Sequence, residues 1–246
     1  MRTLRLTLAY DGTNYVGWQR QPDGVSIQQL IEDAFVPFVG HAPGPSVVGA
    51  GRTDAGVHAL GQVASVNVAF EHETGAIGRA LNVRLPADVR VLQVEDAMPG
   101  FHARFHATGK SYRYRVVTAP VASPFVRWFC WHAPARYDVD AIRAAAGAFV
   151  GRHDFASFQA SGSSVEETTR TIERLDVLRD EDGLTFEITG DGFLRHMVRT
   201  IVGTLMEVGA GSRPVSATAE MLAARDRRAA GRTAPAQGLT LVQVRY

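Results

Sequence analysis

Hydrophobic residues recur with two different periods along this chain, and the order in which the periods follow one another limits the folds open to it. Leu4, Leu6 and Leu8 alternate with Arg5, Thr7 and Ala9, the pattern of a half-buried strand. Ile27, Leu30, Ile31, Ala34, Phe35 and Phe38 then follow at helical spacing behind the capping box Ser26-Ile27-Gln28-Gln29, and their stripe is core. Past Pro43-Gly44-Pro45, residues 46–48 and 63–70 read as strands, 74–85 as a helix ended by Pro86, and 89–94 as a further strand. In the second half, 110–117 is a strand, and Asp138 caps a helix that carries Ile142, Ala145, Ala146 and Phe149 and is closed by Gly151. Residues 171–178 and 184–189 form a hairpin across Asp180-Glu181-Asp182-Gly183, followed by helices over 193–208 and 216–225 and a closing strand over 240–246. No short sequence repeat is visible, yet the order strand, helix, strands, helix, strand occurs roughly twice. The chain therefore reads as an α+β protein of two similar α/β halves with mostly antiparallel sheets, residues 1–104 and 105–246.

At 246 residues, 46% of them hydrophobic, the chain can bury a full core as one large domain or two fused halves. Cys130 is the only cysteine, which excludes a disulfide framework and a cysteine-based zinc site and fits a reducing cytosol. Met1 to Arg5 lead straight into the first strand without an apolar run of signal-peptide or membrane length, so the expectation is a soluble cytoplasmic protein. A formal charge of +1 gives no support to nucleic-acid binding, and any such contact has to come from local clusters. Arginine supplies almost all the positive charge, Lys110 being the single lysine, and guanidinium groups suit phosphate forks and base stacking.

Between the strands at 46–48 and 63–70 lies Gly49-Ala50-Gly51-Arg52-Thr53-Asp54-Ala55-Gly56-Val57-His58-Ala59. Its glycines allow a sharp turn close to another surface, and Arg52 supplies a cation two residues from the Asp54 carboxylate, as in the presentation of a nucleophile or electrostatic stabiliser. Plain turn chemistry accounts equally well for an aspartate there. Tyr15-Val16-Gly17-Trp18-Gln19-Arg20-Gln21 is either an RNA-contact surface or a hairpin whose Trp18 packs into the core. In Lys110-Ser111-Tyr112-Arg113-Tyr114-Arg115, alternation puts Lys110, Tyr112 and Tyr114 on one face and the arginines on the other: a base-stacking platform, or a strand with half-buried rings. On the 193–208 helix, Arg195 and Arg199 fall at the edge of the apolar stripe, where a cation finds a partner or snorkels to water. Arg225-Asp226-Arg227-Arg228 with Arg232 is the densest basic patch, a solvated face or a contact for RNA backbone.

Other constellations carry less. His102 and His106 are four apart, but Ala103 stands where a zincin has its glutamate, and no metal is expected. His153, Asp154 and Ser157 lack a nucleophile elbow and read as a structural loop rather than a hydrolase triad. The polar run 161–169 reads as a mobile connection. Gly49-x-Gly51-x-x-Asp54 fails as a dinucleotide fingerprint at its third glycine, and no Walker loop exists, so neither NAD nor ATP is indicated.

Tyr10-Asp11-Gly12-Thr13-x-Tyr15-x-Gly17-Trp18-Gln19-Arg20-Gln21, Gly51-Arg52-Thr53-Asp54-Ala55-Gly56-Val57-His58-Ala59, Phe101-His102-Ala103-Arg104-Phe105, Lys110-x-Tyr112-x-Tyr114 and Gly190-Asp191-Gly192-Phe193-Leu194-Arg195-His196-Met197-Val198-Arg199 together resemble the tRNA pseudouridine synthase A family, from Tyr10 to Leu239. The resemblance implies the pseudouridine synthase fold, with its two halves around a central cleft. Asp54 becomes the essential catalytic residue, Tyr112 the ring against the target uracil, and Arg199 the cation paired with Asp54. Arg52 becomes a candidate contact of the flipped nucleotide. It also implies a homodimer acting on uridines 38 to 40 in the anticodon stem-loop of tRNA. Because uridine and pseudouridine are isomers, no cofactor or metal is required. One rival is a non-catalytic tRNA-binding or chaperone protein, which would use the same surfaces without needing Asp54. The other is a carboxylate-dependent hydrolase, which in a retaining glycosidase needs a second carboxylate. No such partner of Asp54 stands out, and Asp11, Asp154 and Asp191 stay open for that role.

Overall fold

Alternation fixes the first strand, β1 (Arg2–Tyr10): Leu4, Leu6 and Leu8 are fully buried while their neighbours are only half-buried. The computed structural model describes residues 1–163 and 165–246; Ser164, in the polar run expected to be mobile, lies outside the described residues. The chain forms two compact units, Met1–Thr108 with Leu241–Tyr246, and Gly109–Thr240. The sequence reading put the break at residue 104 and the last strand in the second half. That strand instead groups with the first unit.

In the first unit, β1 lies between β3 (His58–Val68) and β4 (Val89–Asp96), antiparallel to both, with Leu4 opposite Val66 and Asp96. A short β2 (Val47–Gly49) pairs antiparallel with β3, and β10 (Leu239–Arg245) lies on the other side of β3. Helix α1 (Ile27–Val39) begins where the capping box places it, Ser26 Oγ accepting the Gln29 N–H at 3.2 Å. Helix α2 (Thr74–Arg84) packs on β4 and ends at Leu85, ahead of Pro86. The expected strand at 63–70 starts earlier, at His58, so the last two residues of the stretch read as a connection, His58 and Ala59, are already strand.

The second unit is built on β5 (Gly109–Val117), β9 (Gly183–Gly190), β8 (Thr169–Arg179) and β7 (Gly151–Asp154), antiparallel in that order, with β6 (Trp131–His132) parallel to β5. Helix α3 (Val139–Gly147), capped by Asp138 Oδ1 on the Ala141 N–H at 2.9 Å, packs on α4 (Met197–Gly209) and β8. Gly151 does not close α3. It opens β7 at φ +111°, a conformation that suits glycine. Phe149, Phe155 and Phe158 interlock edge to face in the core. A short helix α5 (Ala217–Ala224) packs against β7.

Helix α4 differs from its sequence reading in one respect that matters. It starts at Met197, not at 193, because His196 takes a left-handed φ of 64° and the Arg195 carbonyl is bound by the Ala160 N–H at 2.9 Å. Arg195 therefore sits on an exposed turn before the helix, and its expected place at the edge of the helical stripe is corrected. Among the described residues, no helix is long and apolar enough to cross a membrane.

Candidate active site

Asp54 stands on the connection between β2 and β3, half-buried, with Arg52 exposed two residues before it. Register across the two strands fixes the base of the connection: Gly49 lies opposite Ala64, and the Ala50 N–H donates to the Val63 carbonyl at 2.7 Å. Fully buried Gln62 donates from Nε2 to the Gly51 carbonyl at 3.0 Å, and the Val57 N–H closes a turn on the Asp54 carbonyl at 3.1 Å.

The underside of this loop is the segment after β1. Tyr10 Oη and Thr53 Oγ1 share a hydrogen bond of 2.9 Å, the Trp18 N–H donates to the Thr53 carbonyl at 3.0 Å, and the Gly12 N–H donates to His58 Nδ1 at 3.0 Å. Glycine is required at two of these crossings. A side chain on Gly12 would overlap the Val57 carbonyl, and at Gly17, with φ +104°, a Cβ would lie 2.5 Å from the Thr53 carbonyl oxygen and 3.0 Å from the Asp54 carbonyl carbon. Burial pushes the Tyr10 phenol up to about 12, so its proton stays available to the Thr53 bond at neutral pH. Trp18 is 2% exposed, so the packing alternative holds for this ring. The stretch that carries it is the floor of the Asp54 loop. Tyr10, Gly12, Gly17 and Gln62 escaped attention as parts of the site, although the first three stand in the quoted motif beginning at Tyr10. Arg52 Nε donates to Gln19 Oε1 at 3.1 Å, which ties the loop to the same floor.

In the second unit, Tyr112 and Tyr114 occupy one face of β5 as alternation requires. Tyr112 is 8% exposed and meets Phe193 edge-on at 5.2 Å. Tyr114 is fully buried, donates to the Pro235 carbonyl at 2.7 Å, and has its phenol pushed far up by burial against the opposing charges of Arg199 and Arg232. On the other face, Arg113 meets cross-strand Glu187 at 2.8 Å, and Arg115 meets Asp182, in the turn just before β9, at 3.1 Å. Arg199, half-buried in the first turn of α4, donates from Nε to the Ala234 carbonyl at 2.8 Å, and the Ala234 N–H returns to the Arg199 carbonyl at 3.0 Å. Asp54 and Arg52 thus share one loop of the first unit, while Tyr112 and Arg199 belong to the second, on β5 and α4, which pack together.

The constellations set aside in the sequence are structural in the fold. His102 Nδ1 accepts the Arg104 N–H and His106 Nδ1 the His102 N–H, within one turn. Ser157 Oγ is fully buried on the Asp226 N–H, and Asp154 accepts from Thr168 Oγ1 at 2.6 Å, the Ala156 N–H at 2.9 Å and Arg225 at 2.8 Å. The basic patch is bound locally as well: Arg228 pairs with Asp226, Arg227 donates to the Gly231 carbonyl and Thr233, and Arg232 stacks on Trp131 at 4.4 Å.

A family model described as tRNA pseudouridine synthase matches residues 7–106 and 145–246. The chain belongs to that family. Its relatives match from end to end: a tRNA pseudouridine synthase A of Syntrophotalea carbinolica is 46% identical over 100% of this chain and 97% of its own. One of Limosilactobacillus fermentum is 45% identical over 100% and 96%, and one of Geobacter sulfurreducens 43% identical over 100% of both. Among solved structures, a chain of the crystal structure of a Cbf5-Nop10-Gar1 complex is similar at a TM-score of 0.39 and 13% identity; the match covers 97% of this chain and 48% of that one, so this chain spans about half of its length. Membership of the pseudouridine synthase family makes this chain an isomerase that turns uridine into pseudouridine.

Proposed function

We infer that this chain isomerises uridines 38 to 40 in the anticodon stem-loop of tRNA, with Asp54 as its catalytic residue. The observation that carries the reading is the presentation of Asp54. It sits half-buried on a loop gripped from below by Tyr10, Gly12, Gly17, Trp18 and Gln62, and that loop carries the string that resembles the family's signature. The reaction breaks the bond from uracil N1 to the ribose, turns the ring and rejoins it through C5. Positive character at the anomeric carbon is what an ionised carboxylate stabilises or traps. By the match at Lys110-x-Tyr112-x-Tyr114, Tyr112 stacks on the uracil and keeps it while detached; by the match over Gly190 to Arg199, Arg199 pairs with Asp54; and Arg52, beside Asp54, contacts the flipped nucleotide. Extruding the uridine costs a few kcal/mol, offset by stacking and phosphate contacts, and water has to be kept from the open sugar. No cofactor enters, because nothing is gained or lost overall.

The reading includes a cytoplasmic homodimer. The loop between β5 and β6 supports it: Phe125 is 90% and Val121 82% exposed, with Trp128 and Phe129 also exposed, an apolar stretch that a monomer rarely leaves bare. Sedimentation is expected to give a dimer mass, and Phe125→Asp to shift it toward monomer. A monomeric wild type removes the dimer from the reading. Activity is tested with unmodified tRNA and no cofactor, scoring pseudouridine in the anticodon arm for wild type and Asp54→Asn. The expected result is conversion by the wild type and a loss on the order of a thousandfold or more in the folded, tRNA-binding variant. If both bind tRNA and neither converts it, the chain is an RNA-binding protein without this activity.

A further inference from the structure

The bond from Arg52 to Gln19 is the outer end of a chain of side-chain hydrogen bonds inside the first unit. Gln19 Nε2 donates to Gln28 Oε1 at 2.7 Å, and Gln28 Nε2 donates to Glu32 Oε1 and to the Val47 carbonyl, both at 3.0 Å. Glu32 is 7% exposed. Its Oε1 also accepts the Val47 N–H at 3.1 Å, and its Oε2 holds the Arg20 guanidinium at 2.9 Å, while the Arg20 N–H donates to Gln28 Oε1 at 2.9 Å. All the donors point one way. Each glutamine receives on its oxygen and gives from its nitrogen, so turning either amide over would set oxygen against oxygen. The direction is imposed at both ends, by a carboxylate that only accepts and a guanidinium that only donates.

The anchor of this chain is rigid. Gln28 and Glu32 are one turn apart on α1, whose start is held by Ser26, and Glu32 is bonded to β2 through Val47. The far end is an exposed arginine two residues from Asp54, and a long side chain of that kind surrenders much rotamer freedom when it binds. A bond at Nε settles the plane of the guanidinium and presents its terminal nitrogens as the fork that matches a phosphate.

We propose that Gln19 and Gln28, braced on Glu32, are positioning residues that hold the Arg52 guanidinium in one orientation for a phosphate of the RNA substrate. The role of Arg52 toward RNA rests on the synthase reading; the orientation of Arg52 does not. Orienting the cation in advance removes an ordering cost from the step in which the nucleotide is captured.

Two measurements test this on the full-length protein. In single-turnover assays Gln19→Ala is expected to lower the isomerisation rate by about tenfold, the loss of a charged hydrogen bond, with tRNA affinity little changed. In an Arg52→Ala background the same substitution is expected to add less than about a twofold loss, because its target is gone. Additive losses, or an undiminished rate in Gln19→Ala, overturn the proposal. Separately, Gln28→Leu is expected to move the Arg52 Nε–H resonance in nitrogen–proton correlation spectra, although the bond to Arg52 is made by Gln19. An unmoved resonance in the folded variant overturns the relay. If wild type makes no pseudouridine, the synthase reading falls by itself, and the resonance, which needs no substrate, still decides whether the amides orient Arg52.

Discussion

Gly17 sets how closely the loop after β1 can pass beneath Asp54. With φ +104° and the Thr53 carbonyl 2.5 Å from where a Cβ would stand, any other residue carries both backbone strain and a clash with main chain that cannot swing aside. Gly17→Ala is expected to destabilise the protein by about 2 kcal/mol or more, read from chemical denaturation, and to lower the isomerisation rate by displacing the Asp54 loop. Full stability in that variant would show that the two segments do not meet as described. The cost of such a residue is not visible in its neighbours along the chain. Gly17 could be read as part of a motif, but its φ and its opposite number, Thr53, follow only from the fold.

Elements are joined here by carboxylates as much as by turns. Asp154, at the end of β7, binds Thr168 and Ala156 and pairs with Arg225 just past α5. Burial works against its charge, but those hydrogen bonds and the nearby guanidinium outweigh it and hold the carboxyl below its ordinary value of 3.8. A carboxyl depressed in the folded state contributes stability that is complete above its unfolded value and is lost as the pH falls through the folded one. Stability of the wild type is therefore expected to drop more steeply below about pH 4 than that of Asp154→Asn, which starts lower at neutral pH; parallel curves from denaturation at stepped pH would refute this. Helix starts were legible at this scale where a cap side chain marks them, as Ser26 and Asp138 do. The start of α4 was not, because the apolar period runs on through 193–196 while His196 breaks the backbone and Ala160 holds the Arg195 carbonyl.

At the scale of the whole chain, the last strand returns to the first unit. Leu241 is fully buried, Tyr246 donates to the Ala103 carbonyl at 2.8 Å and lies under the Arg5 guanidinium at 5.0 Å, and Thr108 donates to the Arg245 carbonyl at 2.9 Å. A chain ended at Thr240 loses these contacts and uncovers β3, and its unfolding midpoint is expected to fall by roughly 10 °C or more, measured by thermal denaturation. An unchanged midpoint would mean that the strand adds nothing to the first unit. Sequence alone determined the period of the long strands and helices, the side-chain caps of α1 and α3 and the strings that carry the family resemblance, because these are written within a strand or a turn of helix. It also determined that Asp54 lies on a glycine-bearing connection between strands. Only the tertiary structure decided that Trp18 is core, that residues 10–18 form the floor beneath Thr53 and Asp54, and that Gln19, Gln28 and Glu32 line up behind Arg52. Those facts depend on backbone segments tens of residues apart approaching within hydrogen-bond distance, and no local period records such an approach.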